Sequence, residues 1–242
     1  MVDGGLGSIA ARVASDLGDA VHLRAPVRSI AHDTDRVVVT SDDVAVDARR
    51  VIVTVPPELV PRIEFDPPLP DDRLALYRNA QAGPESKTLV VYDEPFWRAD
   101  GFSGQTAHPH SASEVTIDAS PSSGKPGVIA SFTFGPVAEQ FDALDAAERR
   151  RLVLDALTAR LGPRAANPVA YVETPWWHEE WTRGCSFAHL RPGILTRHGR
   201  LSREPMGRVH FAGTETSVVS HGAVDGAIRS GERVAAEILD CD

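Results

Sequence analysis

Residues 207–239 constrain the fold more than any other stretch, because a short apolar run leads into a glycine turn and then into a helix of small residues. The apolar run covers residues 209–212, and Gly213 supplies the backbone freedom that a sharp turn needs. Gly222 and Gly226 flank the helix start, whose first N–H groups have no intrahelical acceptor and can hold an anion or a polarised carbonyl. The pattern predicts a backbone that approaches a bulky cofactor, although a strand and helix packed in any α/β domain would share it.

Composition favours a globular protein of one or two domains. Of the 242 residues, 42% are hydrophobic and 24% are charged, and no apolar run approaches the ~20 residues of a membrane span. The formal net charge of −9 argues against nucleic acid or an anionic membrane as a partner, because such binding needs clustered Lys and Arg. The N-terminus has no secretory signal, and Cys185 and Cys241 imply no disulfide framework, so we expect a cytoplasmic protein.

The first third of the chain reads as one helix followed by β-rich pieces. Apolar residues recur at helical spacing over residues 6–17, and Gly18 is typical of a helix end. The β-rich pieces lead into a strand at residues 51–55, which two prolines stop. Residues 65–72 are predicted to form an irregular connector and residues 72–81 a short helix.

Longer strands from Lys87 onward, separated by a polar loop at residues 105–126, indicate a second domain. Its clearest helix opens at Asp145, with Glu148 three residues on as in a capping box, and closes at Gly162. We expect its buried face to carry Leu152, Leu157 and Leu161.

Nine short motifs, in order along the chain from about Gly4 to Leu239, resemble those of the flavin-containing monoamine oxidase family. They stand at Gly4-Gly5, Pro26-Val27, 55–57, 67–70, Lys87 with 94–98, Trp176 with 179–180 and 184–185, 192–196, 211–216 and 227–233. The resemblance implies a mixed α/β (α+β) fold, namely a partial FAD-binding domain of the amine oxidase type plus a substrate-domain sheet with helices. Residues 1–76 and 179–242 would be the middle and C-terminal segments of the FAD-binding domain, and residues 77–178 the substrate domain.

The reaction that the resemblance implies is the oxidation of a small-molecule amine to an imine, with hydride transfer to FAD and reoxidation by oxygen to peroxide. Lys87 would be the catalytic residue, because the matching lysine of the family reaches the flavin through a water and assists the reaction with oxygen. A positive charge beside a developing anion is electrostatically reasonable. The alternative for Lys87 is a solvated lysine at a strand start.

The same resemblance implies a set of FAD contacts. Trp176 would lie against the flavin ring, whereas Trp177 and Trp181 are equally well explained by core packing. Val27 would flank the adenine through its main chain. The contacts to the ribityl-pyrophosphate chain and the pyrimidine edge would come from Gly213, Thr214, Gly222, Ala223 and Val224.

Cys185 lies where animal monoamine oxidases attach FAD through a thioether. Its neighbourhood departs from the family, because the two tyrosines of the aromatic cage are replaced by Ser186 and Ala223. An unmodified thiol at Cys185 is therefore favoured over a covalent bond to FAD. The missing cage leaves the choice among primary amines, polyamines and amino acids open.

A complete FAD-binding unit of this type opens with G-x-G-x-x-G after a strand, and this chain has no such motif. The sequence therefore predicts either a truncated chain or one that a separate polypeptide completes with the first FAD segment. The partner would be that polypeptide or a second copy in a homodimer, and the alternative function is a non-catalytic remnant or partner subunit of an amine oxidase. We expect the 242 residues alone to be poorly soluble and to bind FAD weakly, because strands made to sit beside the absent unit would be uncovered.

A metal hydrolase is the rival enzyme class, suggested by His108 and His110 and by His178 before Glu179. No HExxH helix or cysteine pair accompanies these residues, so we expect no metal site.

Overall fold

The structure is a computed structural model that describes residues 5–240, apart from the side chains of residues 186 and 187. Gly4 of the first motif and Cys241 lie outside the described residues. The chain divides into two compact units, one formed by Met1–Val21 with Pro84–Gly184 and the other by His22–Gly83 with Cys185–Asp242. The breaks near the expected boundaries 76/77 and 178/179 fall at 83/84 and 184/185, and the strand before the first break pairs with the strand after the second. The N-terminal segment that was expected with residues 22–76 groups instead with residues 84–184.

Helices and strands alternate irregularly along the described residues. The α-helices are α1 (Gly7–Leu17), α2 (Asp71–Arg78), α3 (Gly135–Asp142), α4 (Ala146–Leu161), α5 (Ile194–His198) and α6 (Val224–Leu239). The strands are β1 (Val27–His32), β2 (Val37–Ser41), β3 (Ala45–Ala48), β4 (Val51–Val53), β5 (Glu64–Asp66), β6 (Ala80–Gly83), β7 (Glu85–Tyr92), β8 (Thr106–Ala107), β9 (Val115–Asp118), β10 (Gly127–Phe134), β11 (Ala170–Pro175), β12 (Cys185–Leu190) and β13 (Val209–Phe211). Among residues 5–240, no helix is both long and apolar enough to cross a bilayer.

The unit of residues 84–184 is an antiparallel sheet with helices on one face. The strand order is β11-β7-β10-β9-β8. Successive side chains of a strand point to opposite faces, and in β7 the buried positions Ser86, Thr88, Val90 and Tyr92 share one of them. That face carries the core, in which Val90 and other strand residues pack with buried side chains of α3 and α4.

The start of helix α4 confirms the predicted cap at Asp145, while the carboxylate of Glu148 pairs with Arg151. The Asp145 side chain accepts a hydrogen bond of 2.9 Å from the Glu148 N–H, and Gly162 ends the helix with a φ of 90°. The prediction for its buried face was wrong at one position, because Val153 is buried and Leu152 is only partly so. The sequence pattern allows either residue, and the packing against the sheet selects Val153.

A second carboxylate, Asp118, ties β9 to the turn after β7. It accepts hydrogen bonds from the Trp97 indole at 2.9 Å, from the Arg98 guanidinium at 2.7 Å and from the Ser120 N–H at 2.9 Å. Burial raises the pKa of Asp118, but the bonds from Arg98, Ser120 and Trp97 outweigh that cost and bring the pKa to about 2.

We expect Asp118→Asn to lower the free energy of unfolding at neutral pH by about 2 kcal/mol, because a carboxylate whose pKa is depressed on folding stabilises the folded state. That stabilisation is complete above about pH 4 and is lost as the pH falls towards 2. Urea unfolding from pH 7 to pH 2 should therefore give a shallower pH dependence for the variant. Asp155→Asn, which removes an exposed ion pair with Arg151, is the control and should cost ~0.5 kcal/mol or less. Equal pH profiles for wild type and Asp118→Asn would contradict this assignment.

The unit of residues 22–83 and 185–240 contains three small sheets. Strands β3, β2, β1 and β5 form a four-stranded sheet in which β1 and β5 are parallel. Strand β13 runs parallel to β4, and β12 runs antiparallel to β6. Its core contains Val53, Phe65, Leu76, Tyr77 and Phe211.

Three sequence predictions in this unit needed correction. The strand predicted at residues 51–55 ends at Val53, and the predicted connector begins with the short strand β5. The helix predicted at residues 72–81 ends at Arg78, because Ala80 already belongs to β6 and pairs with Leu190. This long-range pairing leaves no local signal in the sequence.

Helix α1 forms as predicted and ends at Gly18, which adopts a φ of 54°. The large apolar residues of the helix and of its N-cap are nonetheless each more than one third exposed: Leu6, Ile9, Val13 and Leu17. The periodicity therefore predicted the helix correctly, while burial of its apolar stripe is not realised within the described residues.

Helix α6 packs closely against the loop that precedes it. A Cβ added at Gly226 would overlap the carbonyl oxygen of Ser220 and would lie 3.1 Å from Thr214 Oγ1. Gly231, one turn further along the same helix, has no atom within 4 Å of its added Cβ. The two glycines therefore differ in their surroundings but not in their secondary structure.

We expect Gly226→Ala to destabilise the protein by about 1 to 3 kcal/mol, because the backbone of Ser220 must move to admit the methyl group. The control Gly231→Ala should stabilise it by about 0.5 to 1 kcal/mol through helix propensity alone. Thermal and urea unfolding of both variants measure the difference. Equal effects of the two substitutions would mean that the loop does not pack on the helix as described.

Candidate functional site

The turn after β13 is held by hydrogen bonds on both sides of Gly213. This glycine has a φ of 126°, a region that side chains disfavour, and its N–H donates to Ser230 Oγ at 2.9 Å. Its carbonyl oxygen accepts from the N–H and the hydroxyl of Thr216 at 2.9 and 2.8 Å. The buried strand thus leads into a turn of defined geometry, as the sequence predicted.

The turn contacts the loop that starts α6. Thr214 Oγ1 donates to the carbonyl oxygen of Ala223 at 2.9 Å. The loop returns through two residues with positive φ, Ser220 at 55° and Gly222 at 78°. The structure therefore brings together Gly213 and Thr214 with Gly222, Ala223 and Val224, which are five of the eight predicted cofactor contacts.

The start of α6 is open to a ligand. Ala223 is the extended N-cap residue and makes no side-chain cap, and Val224 after it is half exposed. Asp225 in the first turn pairs with Arg229 at 2.8 Å, and that hydrogen bond, with a second from Ser220, lowers the pKa of its carboxyl. The N–H groups of a first helical turn have no intrahelical acceptor, so they suit an anionic or electron-rich group.

A buried polar network, which the sequence analysis missed, holds α6 against β13, the strand that leads into this turn. His210 is fully buried in β13, and its Nδ1 lies 2.7 Å from Glu237 Oε1. Arg233 pairs with the same carboxylate at 2.9 Å and donates to the carbonyl oxygen of Phe211 at 2.6 Å. The available signals were a histidine inside an apolar strand and an Arg–Glu pair at i, i+4 in the helix.

A cavity of about 260 Å³ opens beside the turn. It is lined by Pro57, Leu76, Tyr77, Ala188, His189, Leu190, Leu195, Gly199, Ser202, Glu215 and His221. Ligand pockets usually measure ~300 to 1,000 Å³. The cavity that this unit forms by itself is therefore small for a cofactor as long as a dinucleotide. The wall combines apolar side chains with the carboxylate of Glu215 and two imidazoles.

The two other predicted contacts of this unit, Val27 and Cys185, do not line that cavity. Val27 begins β1, is half-buried and pairs with Ser41. Cys185 begins β12, is half-buried and lies opposite Gly83 in register. Strand β12 nevertheless runs beside the Thr214–Thr216 turn, so Cys185 belongs to an element next to the glycine turn.

Lys87 lies on the face of the five-stranded sheet opposite the one that packs with α3 and α4, in the other unit. It is half-buried, pairs in register with Phe132 and Thr174, and places its Nζ 5.5 Å from the centre of the Phe132 ring. Cross-strand neighbours share a face, and on this face Ile117, Phe134 and Val172 are each more than one third exposed. Lys87 is thus a cation within an apolar surface rather than a fully solvated side chain.

Trp176 directly follows β11 and begins a single 3₁₀ turn, Trp176–His178. It is half-buried, and its carbonyl oxygen accepts from Thr182 Oγ1 at 3.1 Å. Trp177 donates its indole N–H to Asp142 at 2.6 Å, whereas Trp181 is half exposed. Core packing therefore does not account for Trp181, and Trp177 has a specific polar partner.

The histidines considered for a metal site do not form one. His108 lies 3.2 Å through its Nδ1 from the neighbouring Pro109 carbonyl oxygen, and His110 is exposed with a φ of 64°. Within residues 5–240, no group of three or more potential metal ligands comes together.

Comparison with known proteins places this arrangement in a family. The family model for flavin containing amine oxidoreductases matches residues 1–239, so the chain belongs to that family. This confirms the resemblance read from the nine motifs, and the mixed fold of helices and sheets agrees with it. FAD is the cofactor that the family implies.

Individual relatives agree with the family match. The protein AofH of Mycobacterium tuberculosis is 41% identical over 237 residues, which are 98% of this chain and 52% of the relative. Putrescine oxidase of Kocuria rosea is 37% identical over 250 residues, with 98% and 52% covered. A solved structure of wild-type putrescine oxidase bound to putrescine superposes with a TM-score of 0.94 at 37% identity, covering 98% of this chain and 53% of that one. The chain therefore spans about half the length of the relatives that it matches.

Proposed function

We propose that this protein is an FAD-dependent oxidoreductase that oxidises a small-molecule amine to an imine and returns the electrons to oxygen, giving peroxide. The observation that carries the proposal is the joined turn and helix start, in which Thr214 and Ala223 are hydrogen-bonded beside an open helix N-terminus. In a chain of the flavin amine oxidoreductase family, this is the part that suits the electron-rich portions of FAD.

The residues present fit the cofactor at the glycine turn and the helix start. Gly213 and Gly222 keep side chains away from both, and the start of α6 has no side-chain cap beside the half-exposed Val224. FAD would accept a hydride equivalent from the carbon next to the amine nitrogen and would transfer the electrons to oxygen. We propose backbone and hydroxyl contacts from the turn and the helix start, with Val27 at the adenine and Trp176 at the ring.

Lys87 would hold a positive charge on the sheet face that is free to meet substrate and oxygen. An ammonium group within an apolar surface is less screened than one in water, so it stabilises negative charge developing on oxygen more strongly. The apolar neighbours Ile117, Phe134 and Val172 favour a substrate amine with a hydrophobic carbon skeleton, which would contact this face. Accordingly, we propose that the unit with residues 84–184 is the substrate layer and the other unit the FAD-binding part.

The chain contains two lysines, which gives a matched pair of variants. We expect Lys87→Met to slow reoxidation of the reduced flavin by oxygen about tenfold or more, because the charge next to the reacting oxygen is lost. Lys125→Met should leave that rate unchanged, since Lys125 is exposed and pairs with Glu94 at 3.6 Å. Stopped-flow absorbance of the flavin and a peroxide assay with a panel of amines measure both effects.

The assay is run on the chain alone and on the chain mixed with a polypeptide from a relative that carries G-x-G-x-x-G. Equal oxygen kinetics for the two lysine variants would remove Lys87 from the reaction. Failure of both preparations to bind FAD or to release peroxide would instead favour a non-catalytic remnant or a partner subunit.

We further propose that FAD is held without a covalent bond to Cys185, because the tyrosines that accompany the thioether in animal monoamine oxidases are replaced here by Ser186 and Ala223. Precipitation of the FAD-loaded protein with acid should leave the yellow flavin in the supernatant. Cys185→Ala should give the same distribution. Flavin absorbance retained in the wild-type pellet but not in the variant pellet would establish the covalent bond instead.

A further inference from the structure

A buried carboxylate, that of Asp142, lies at the end of α3. The side chain of Asp142 is only 2% exposed. It accepts hydrogen bonds from Ser86 Oγ and from the Trp177 indole N–H, both at 2.6 Å. His178 Nε2 lies 3.9 Å from the same carboxylate, on a side chain that is 54% exposed. Its environment thus combines two neutral donors with one histidine at the rim.

Burial of a carboxylate is costly unless its oxygens are satisfied, and an apolar residue could fill such a space without that cost. Here both short bonds come from side chains of other elements, Ser86 in β7 and Trp177 after β11. Hydrogen bonds to charged groups are stronger than neutral ones and constrain geometry more tightly. Asp142 therefore fixes two segments of chain relative to one another.

The two partners of Asp142 are the direct neighbours of the two predicted site residues in this unit. Ser86 precedes Lys87, and Trp177 follows Trp176. Pro175 pairs in register with Ser86, so the two segments already lie side by side. Because successive residues of a strand point to opposite faces, holding Ser86 on the helix side directs Lys87 to the opposite face.

We propose that Asp142 is a positioning residue, which sets Trp176 and Lys87 in the arrangement required at the flavin by anchoring the residue next to each. This inference rests on the proposed function, since that function assigns Trp176 and Lys87 to the cofactor. Asp142 itself contacts neither substrate nor cofactor and acts through Ser86 and Trp177.

The first test needs no flavin. The four tryptophans give four indole N–H signals in an NMR spectrum of ¹⁵N-labelled protein, and Trp97, bonded to Asp118 at 2.9 Å, is the internal control. Asp142→Ala should speed solvent exchange of the Trp177 indole proton about tenfold or more and shift the Trp176 signal, leaving Trp97 unchanged. In Asp142→Asn the amide oxygen can still accept from Trp177, so the Trp177 exchange rate and the Trp176 signal should stay near their wild-type values. Asp155→Ala should change neither quantity.

Trp177→Phe provides a second route if Asp142→Ala does not fold, because it removes the donor and keeps the carboxylate. It should shift the Trp176 signal in the same direction. An unmoved Trp176 signal in either folded variant would overturn the inference.

The second test uses FAD as the probe. Quenching of flavin fluorescence on titration should give a dissociation constant about tenfold higher for Asp142→Ala than for wild type, with Asp142→Asn and Asp155→Ala within about twofold. Unchanged affinity in Asp142→Ala, where wild type binds FAD, would also overturn the inference. If wild type binds no FAD either alone or with the added G-x-G-x-x-G polypeptide, the proposed function fails, and the Trp176 signal alone decides whether Asp142 positions that segment.

Discussion

The close packing of α6 against the turn after β13 is the constraint on which the candidate cofactor site depends. Gly226 lets the backbone of Ser220 lie directly on the helix, and Thr214 then reaches the carbonyl oxygen of Ala223. A side chain at position 226 would separate the loop from the helix. The open helix start and the glycine turn are therefore a single structural feature, produced by the absence of one methyl group.

Buried polar side chains, rather than apolar contacts alone, decide how the elements of each unit meet. In one unit, Glu237 joins His210 of β13 to Arg233 of α6. In the other, Asp118 accepts hydrogen bonds from the side chains of Trp97 and Arg98. Hydrogen bonds restrict direction as well as distance, whereas apolar packing tolerates small shifts. The Glu237 network thus gives a defined position to the helix whose start belongs to the proposed site, and the Asp118 network holds β9 against the turn after β7.

Local signals in the sequence predicted much of the secondary structure. The helix cap at Asp145 and the helix ending at Gly18 were correct, because caps and turns depend on residues within one helical turn. The end of the strand at Val53, the start of β6 and the choice of Val153 over Leu152 were not predictable, since each depends on a partner distant in the chain. The same holds for the candidate site. The sequence motifs located the glycine turn, whereas the His210 network and the Asp142 contacts were not predicted.

By itself, the sequence determined the family, because nine motifs keep their order over nearly the whole chain, and it determined the glycines that permit the turn. Only the tertiary structure decided that Thr214 bonds to Ala223, that Lys87 lies on the sheet face opposite α3 and α4, and that a buried Asp142 joins the neighbours of Lys87 and Trp176. The physical reason is the separation in sequence between the residues that interact. A motif specifies which groups are available, whereas burial and hydrogen-bond geometry are set by residues that meet only when the chain is folded.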